Sequence, residues 1–457
     1  MEHDPKLPSI VASLVIASSI WSVFAIIRWT SRPGPWIFTL SKWRLALEDW
    51  RGTRSRTIHR LHEEYGPMVQ IGPREISFNS VTALRSIYGA GSGFGRTEFY
   101  RMFDTYERQH MFSFFATSDH SKRKRLFSRL YSKSAILKGP VASSIESKAG
   151  EYLDLIESEP ATAAQLVKGL RYYALDNITW MVYGEAGATS ALGGNLSHRG
   201  IVNDFLGSDD RRLSWFQAHI PAYTKWAMAH SKVMQCLPKM IRLLPLQDST
   251  ALYGLQEYAL QAFKKCQSDR SENQTSAAVI SSLLGEQELN SSDSLQDLDI
   301  ASECADQLDA GLNTTSDTLL FTIWALSRPV NRHLQERLAR EVATLDDVDD
   351  KGVPTAEVCD KTPFLDAVIK ETLRLYAPIP ASQPRVSAQD VTIDGHLVPA
   401  ATVVSCQAYS LHRNAAIFPD PLTFNPDRWL VDSDTISEMK RWWWPFSSGG
   451  RMCIGMQ

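Results

Sequence analysis

A cysteine framed by glycines, an arginine and an aromatic ring, Phe446-Ser-Ser-Gly449-Gly450-Arg451-Met-Cys453-Ile-Gly455, dictates more about this chain than any other stretch. Glycine at 449, 450 and 455 permits positive φ and lets the backbone approach a flat ligand, so amide N–H groups can be aimed at a sulfur. Such donors tune a thiolate ligand. Phe446 is expected to cover the sulfur on its far side, and Arg451 to meet an acidic group at the ligand's rim. Cys453 alone would read as an ordinary buried cysteine. Five fixed positions in ten residues, with further motifs upstream, point instead to a metal ligand.

The pattern Phe-x-x-Gly-x-Arg-x-Cys-x-Gly resembles the cytochrome P-450 family of heme-thiolate monooxygenases. The resemblance implies a mainly α fold with a minor β region, heme b on Cys453, and electrons from NADPH through a flavoprotein reductase. Three upstream motifs fall in that family's order.

Asp119-His-Ser-Lys-Arg-Lys-Arg125 opens a helix through Leu126, Phe127 and Leu130, with Ser118 or Asp119 as its cap. The resemblance puts an aromatic or His, and a basic residue four later, on the heme propionates. His120 and Lys124 have that spacing. Lys stands where Arg is usual, so Arg125 stays open as the alternative.

A long helix is expected over roughly 295–327, carrying Ala310-Gly311-Leu-Asn313-Thr314-Thr315. Gly and successive Thr residues are poor choices inside a helix, so something other than helicity selects them. A close helix crossing at Gly311 is one reason. A helix loosened to admit dioxygen, with Thr314 holding a water, is what the resemblance implies. Asn313 departs from the usual Asp or Glu, and an amide cannot relay protons as a carboxyl can. Asp317 is a candidate substitute.

Glu371 and Arg374 share one face of a helix over 362–376, and Phe424-Asn-Pro426-Asp-Arg428-Trp429 offers a second arginine. The resemblance assigns Glu371, Arg374 and Arg428 to holding the cysteine loop. It also puts Ile379 and Ser382 on the substrate pocket with Ala310 and Gly311, and Arg385 on a propionate. The aromatics of 94–115, with Phe112 and Phe114, read equally as core filling or as a wall over an apolar substrate.

Residues 7–27 run 21 positions without a charge, enough to span a bilayer, and Arg28, Arg32, Lys42 and Arg44 follow. A single-pass anchor is expected at 7–27, with a cleaved signal peptide as the competing reading, then a linker at 28–50 and the catalytic domain over 51–457. The positive flank places the body on the cytoplasmic side, and the resemblance implies the endoplasmic reticulum membrane. A net charge of −3 leaves no nucleic-acid footprint, and the cysteine spacing fits neither zinc nor a disulfide framework.

The expected activity is insertion of one oxygen atom into an apolar organic substrate, in the style of filamentous-fungal members that tailor secondary metabolites. Two alternatives stay open. Asn313 would suit an isomerase or dehydratase acting on a peroxide without a reductase. The family continues past the cysteine into a helix and a hairpin, so a truncated, inactive heme-binding chain is the other.

Overall fold

The computed structural model describes residues 32–159, 165–207, 211–230, 250–268, 278–288 and 294–456, together with Ile16. The expected 7–27 anchor therefore lies outside the described residues, Ile16 apart. Among the described residues no helix is long and apolar enough to cross a membrane. The chain forms two units.

The first unit holds residues 1–87, 92–94 and 381–411. The two alternating runs at 68–78 form the expected hairpin, Met68–Gly72 antiparallel to Glu75–Phe78. The second strand pairs parallel with Val403–Ser405, which pairs antiparallel with Arg385–Val386. A further hairpin joins Val391–Ile393 to His396–Val398 through Asp394 and Gly395, both at positive φ as a tight hairpin turn requires. Helices Trp43–Trp50 and Arg54–Tyr65 bury Leu45, Ile58 and Leu61 against Val69 and Ile71. The stretch expected as a linker is thus partly helical, with a short helix Trp36–Leu40 before them.

The second unit, residues 88–91, 95–380 and 412–457, is helical and built around Asp297–Ser327. That helix opens with a reciprocal cap: Gln296 accepts from the Asp299 N–H, and Asp299 accepts from the Gln296 N–H. Ile300, Cys304, Leu308 and Leu312 recur every fourth residue and are fully buried. They share a core with Leu175 and Val182 of helix Leu166–Tyr183 and Leu255 and Ala259 of helix Thr250–Ser268.

The helix is unbroken at the Gly-Thr stretch, where loosening is expected. Hydroxyls of Thr314, Thr318 and Thr322 each donate to the carbonyl four residues back, at 2.6, 2.7 and 2.8 Å. Such bonds satisfy the hydroxyls without interrupting the helical ladder.

Candidate active site

The cysteine loop hangs on a buried polar scaffold. Glu371, in helix Pro363–Leu375, is fully buried and binds Arg374 through both carboxylate oxygens, at 2.8 and 2.9 Å. It also accepts from Arg428 Nε at 3.1 Å, Trp429 Nε1 at 3.0 Å and the Asn425 N–H at 2.9 Å. Arg374 spends its other N–H groups on the carbonyls of His412, Pro421 and Thr423. The three residues expected to form a support are therefore one network, and burial makes it rigid.

Sequence reasoning missed the link from this network to the cysteine. His412, fully buried, sits between the Arg374 carbonyl at Nδ1 (2.9 Å) and the Trp444 N–H at Nε2 (2.7 Å). Those contacts fix a neutral ring with its proton on Nδ1. Burial, against the Arg374 backbone contact, pushes its pKa down to about 3. Trp444 in turn donates to Ser448 Oγ at 3.1 Å and packs on Tyr88. An isolated His beside Arg413 carries no pattern that would reveal this.

Within the loop the glycines differ. Gly449 lies at φ +64°, and a Cβ there would come 2.2 Å from the Tyr88 carbonyl oxygen. Positive φ falls there and at Ser447, not at Gly450 or Gly455. A Cβ at Gly450 would meet nothing, and one at Gly455 would meet only Cys453 Sγ, at 4.0 Å. The Cys453 N–H donates to the Phe446 carbonyl at 2.8 Å. The Phe446 ring lies edge-on to Trp443, with centroids 5.8 Å apart.

Solvent reaches Cys453, yet the surrounding protein disfavours its thiolate. Burial raises its pKa, the Gly455 N–H and Lys124 oppose this, and Asp306 adds to it.

Of the two basic candidates, Lys124 is the one that meets the loop: its Nζ donates to the Gly450 and Met452 carbonyls at 3.2 and 2.6 Å. Arg125 turns back to its own helix at Ser121. The helix, Thr117–Phe127, begins before the expected cap, with Ala116 at its N-cap and no side-chain cap bond. Asp119 sits in its first turn instead, where the helix dipole favours an acid. His120 is buried on that helix. Arg451 donates to the Phe114 and Phe115 carbonyls at 2.7 and 2.9 Å.

Gly311 is not turned to a pocket. A Cβ there would come 2.6 Å from Ile178 Cγ1, so glycine serves a close crossing with helix Leu166–Tyr183. Ala310 is exposed and Ile379 is 45% exposed. Asp317 is engaged by Arg171 at 3.3 Å rather than by Thr314. Phe112 belongs to an aromatic cluster with Tyr100 and Phe103, capped by the Arg96 guanidinium 4.7 Å from its ring centroid. Phe114 lies under Arg123. Phe112 is half-buried in that cluster. In the other unit Arg385 is buried and donates to the Pro384 carbonyl, and Ser382 Oγ is buried without a partner.

A second buried polar cluster was not foreseen. Glu303 accepts from Arg123 at 2.6 Å and the Met111 N–H at 3.0 Å. His110 forms an ion pair with Asp306 at 3.0 Å and reaches the Phe103 carbonyl through Nε2 at 2.7 Å. Burial lowers the pKa of His110, but Asp306 and Glu303 outweigh that and bring it to about 9.

Residues 31–457 match the family description Cytochrome P-450. The cytochrome P-450 monooxygenase stcB of Emericella nidulans is 30% identical over 431 residues, covering 93% of this chain and 78% of the relative. The cytochrome P-450 monooxygenase FGM1 of Gibberella zeae is 26% identical, covering 95% and 84%. The cytochrome P-450 monooxygenase aflV of Aspergillus parasiticus is 27% identical, covering 93% and 80%.

Proposed function

The chain belongs to the cytochrome P-450 family of monooxygenases, and from that premise we propose a fungal tailoring hydroxylase of secondary metabolism that oxidises an apolar substrate. The family implies heme b and electrons that come from NADPH through a reductase.

The residues present fit that group. A solvent-reachable thiol stands beside the small Gly455, with Arg451 on the same loop and Lys124 reaching that loop from helix Thr117–Phe127. This donor set suits an iron that takes a soft sulfur ligand and a macrocycle bearing two carboxylates. Cys453 would hold the iron, and Lys124, Arg451 and His120 would meet the propionates. Bound there, heme supplies the oxygen activation and the insertion of one oxygen atom into a C–H bond.

The protein's part is to hold and to exclude. Glu371, Arg374, Arg428 and His412 fix the loop, so the sulfur keeps its place without reorganisation. Thr314 donates its proton to the Ala310 carbonyl, which leaves its oxygen free to accept from a water. The observation that carries this reading is the thiol presented to solvent on a loop locked by that buried network.

A membrane-bound flavoprotein reductase, a 7–27 anchor and the cytosolic face of the endoplasmic reticulum complete the proposal. Its support is the uncharged run itself and, just after it, the exposed Trp36, Leu40, Trp43, Leu47 and Trp50. An apolar substrate is supported by the aromatics of the middle of the chain, where Trp226 is 51% exposed beside a cluster of Trp215, Phe216 and Tyr223.

The test is the carbon monoxide difference spectrum of the reduced chain and of Cys453→Ser. A thiolate-type band present in the parent and lost in the variant is the expected result; a parent without the band refutes the reading.

A further inference from the structure

Asn313 stands where the resemblance implies an ionisable carboxyl, and its amide is committed to another one. Nδ2 donates to Asp309 Oδ1 at 2.9 Å, one turn back along the helix. The amide oxygen is buried and has no partner among the described residues. A buried acceptor left empty is unfavourable, so a water admitted to the site would find a partner in it. On the adjoining residue, Thr314 directs its own proton to Ala310 and keeps its lone pairs open.

Asp309 is itself half-buried. Burial and then Asp306 push its carboxyl up to about 6, while Asn313 and His110 pull it down. From outside its own helix the charge acting on it is the His110 imidazolium, which pairs with Asp306 beside the Arg123–Glu303 pair. Helix Leu166–Tyr183 sends Arg171 to Asp317, farther along.

We infer that Asp309 is the proton-supplying carboxyl of the Thr314 site, acting through Asn313. The carboxylic acid gives its proton to a water held by the Asn313 amide oxygen and the Thr314 oxygen. That water passes a proton on to the bound reactant, and the Asp309 carboxylate is reprotonated from solvent. One proton crosses, only O–H bonds form and break, and no electrons move. Asn313 transfers nothing; it aligns the carboxyl. Asp309 touches neither substrate nor cofactor and is a positioning residue. The inference rests on the monooxygenase reading, and it removes Asn313 as a reason to expect turnover without a reductase.

Two measurements test it. In infrared spectra of the chain titrated through the acid range, a protonated-carboxyl band should vanish with a midpoint near 6, be absent in Asp309→Asn, and shift to higher pH in Asn313→Ala. With NADPH and a flavoprotein reductase, oxygen consumption by Asp309→Asn should fall about tenfold or more and its solvent isotope effect should grow. The double variant Asp309→Asn/Asn313→Asp, which returns a carboxyl one turn on, should recover both.

A purely structural residue would not be rescued by moving the carboxyl, so a double variant as slow as the single one overturns the inference. So does a carboxyl band indifferent to Asp309→Asn. A parent lacking the carbon monoxide band brings down the monooxygenase reading and this inference together. A parent with the band whose Asp309→Asn variant keeps its rate and isotope effect refutes the inference alone.

Discussion

Replacing each glycine of the cysteine loop by alanine separates three roles that the motif presents as one. At Gly449 a Cβ would stand 2.2 Å from the Tyr88 carbonyl oxygen and 2.9 Å from the Ala90 nitrogen, main-chain atoms that cannot swing aside. The left-handed conformation adds about 1–2 kcal/mol for alanine. Relieving an overlap of about an ångström against backbone adds about 1–3 kcal/mol. The expected loss for Gly449→Ala is therefore about 2–5 kcal/mol. At Gly450 nothing lies within 4 Å and φ is not positive, so alanine should stabilise. The gain is about 0.4–1 kcal/mol, through a less free unfolded chain. At Gly455, with φ −86°, the added methyl meets only the sulfur. Stability should hold while the thiolate band shifts. The assay is the urea midpoint of the full chain by tryptophan fluorescence, read beside the carbon monoxide spectrum. Equal midpoints for Gly449→Ala and the parent, or a Gly450→Ala loss as large as that of Gly449→Ala, would refute the steric argument.

Glu371→Gln strips the buried charge that faces Arg374 and Arg428, and should cost about 3–5 kcal/mol, seen as an earlier thermal transition. His110 carries a folded-state pKa above its unfolded one. Its contribution, about 3 kcal/mol, is complete below pH 6.5 and is lost as pH rises through about 9. Urea midpoints measured across that range should fall more steeply for the parent than for His110→Asn; parallel curves would contradict the pairing with Asp306. Because Lys124 and not Arg125 meets the loop, Lys124→Ala should release heme to an acceptor protein faster, whereas Arg125→Ala should match the parent. Equal release by both variants would remove Lys124 from the site.

What could be read from the sequence was whatever short-range spacing encodes. The 68–78 hairpin, the long helix, the three-residue step from Glu371 to Arg374 and the cysteine loop all followed from residues within a few positions of each other. The misses are partnerships across the chain. Asp317 sits three residues beyond Thr314, which made it a candidate substitute, but Arg171 on another helix pairs with it. Phe112 read equally as wall or core, and the Arg96 and Tyr100 that surround it lie too far along the chain for spacing to reveal. Gly311 offered two readings, and only Ile178 decides for the crossing. Asp309 drew no attention because no motif names it, and its bond to Asn313 is what gives it meaning.

The Gly311 crossing also couples two positions that lie far apart in the chain. The space a side chain would occupy at 311 is already filled by Ile178 Cγ1, Cδ1 and Cβ, all within 3.0 Å of where a Cβ would stand. The two residues therefore share one fixed volume, and neither can grow alone. A descendant of this chain that gains a methyl at 311 must first give one up at 178, so the order in which such changes accumulate is set by packing before any demand of catalysis is felt.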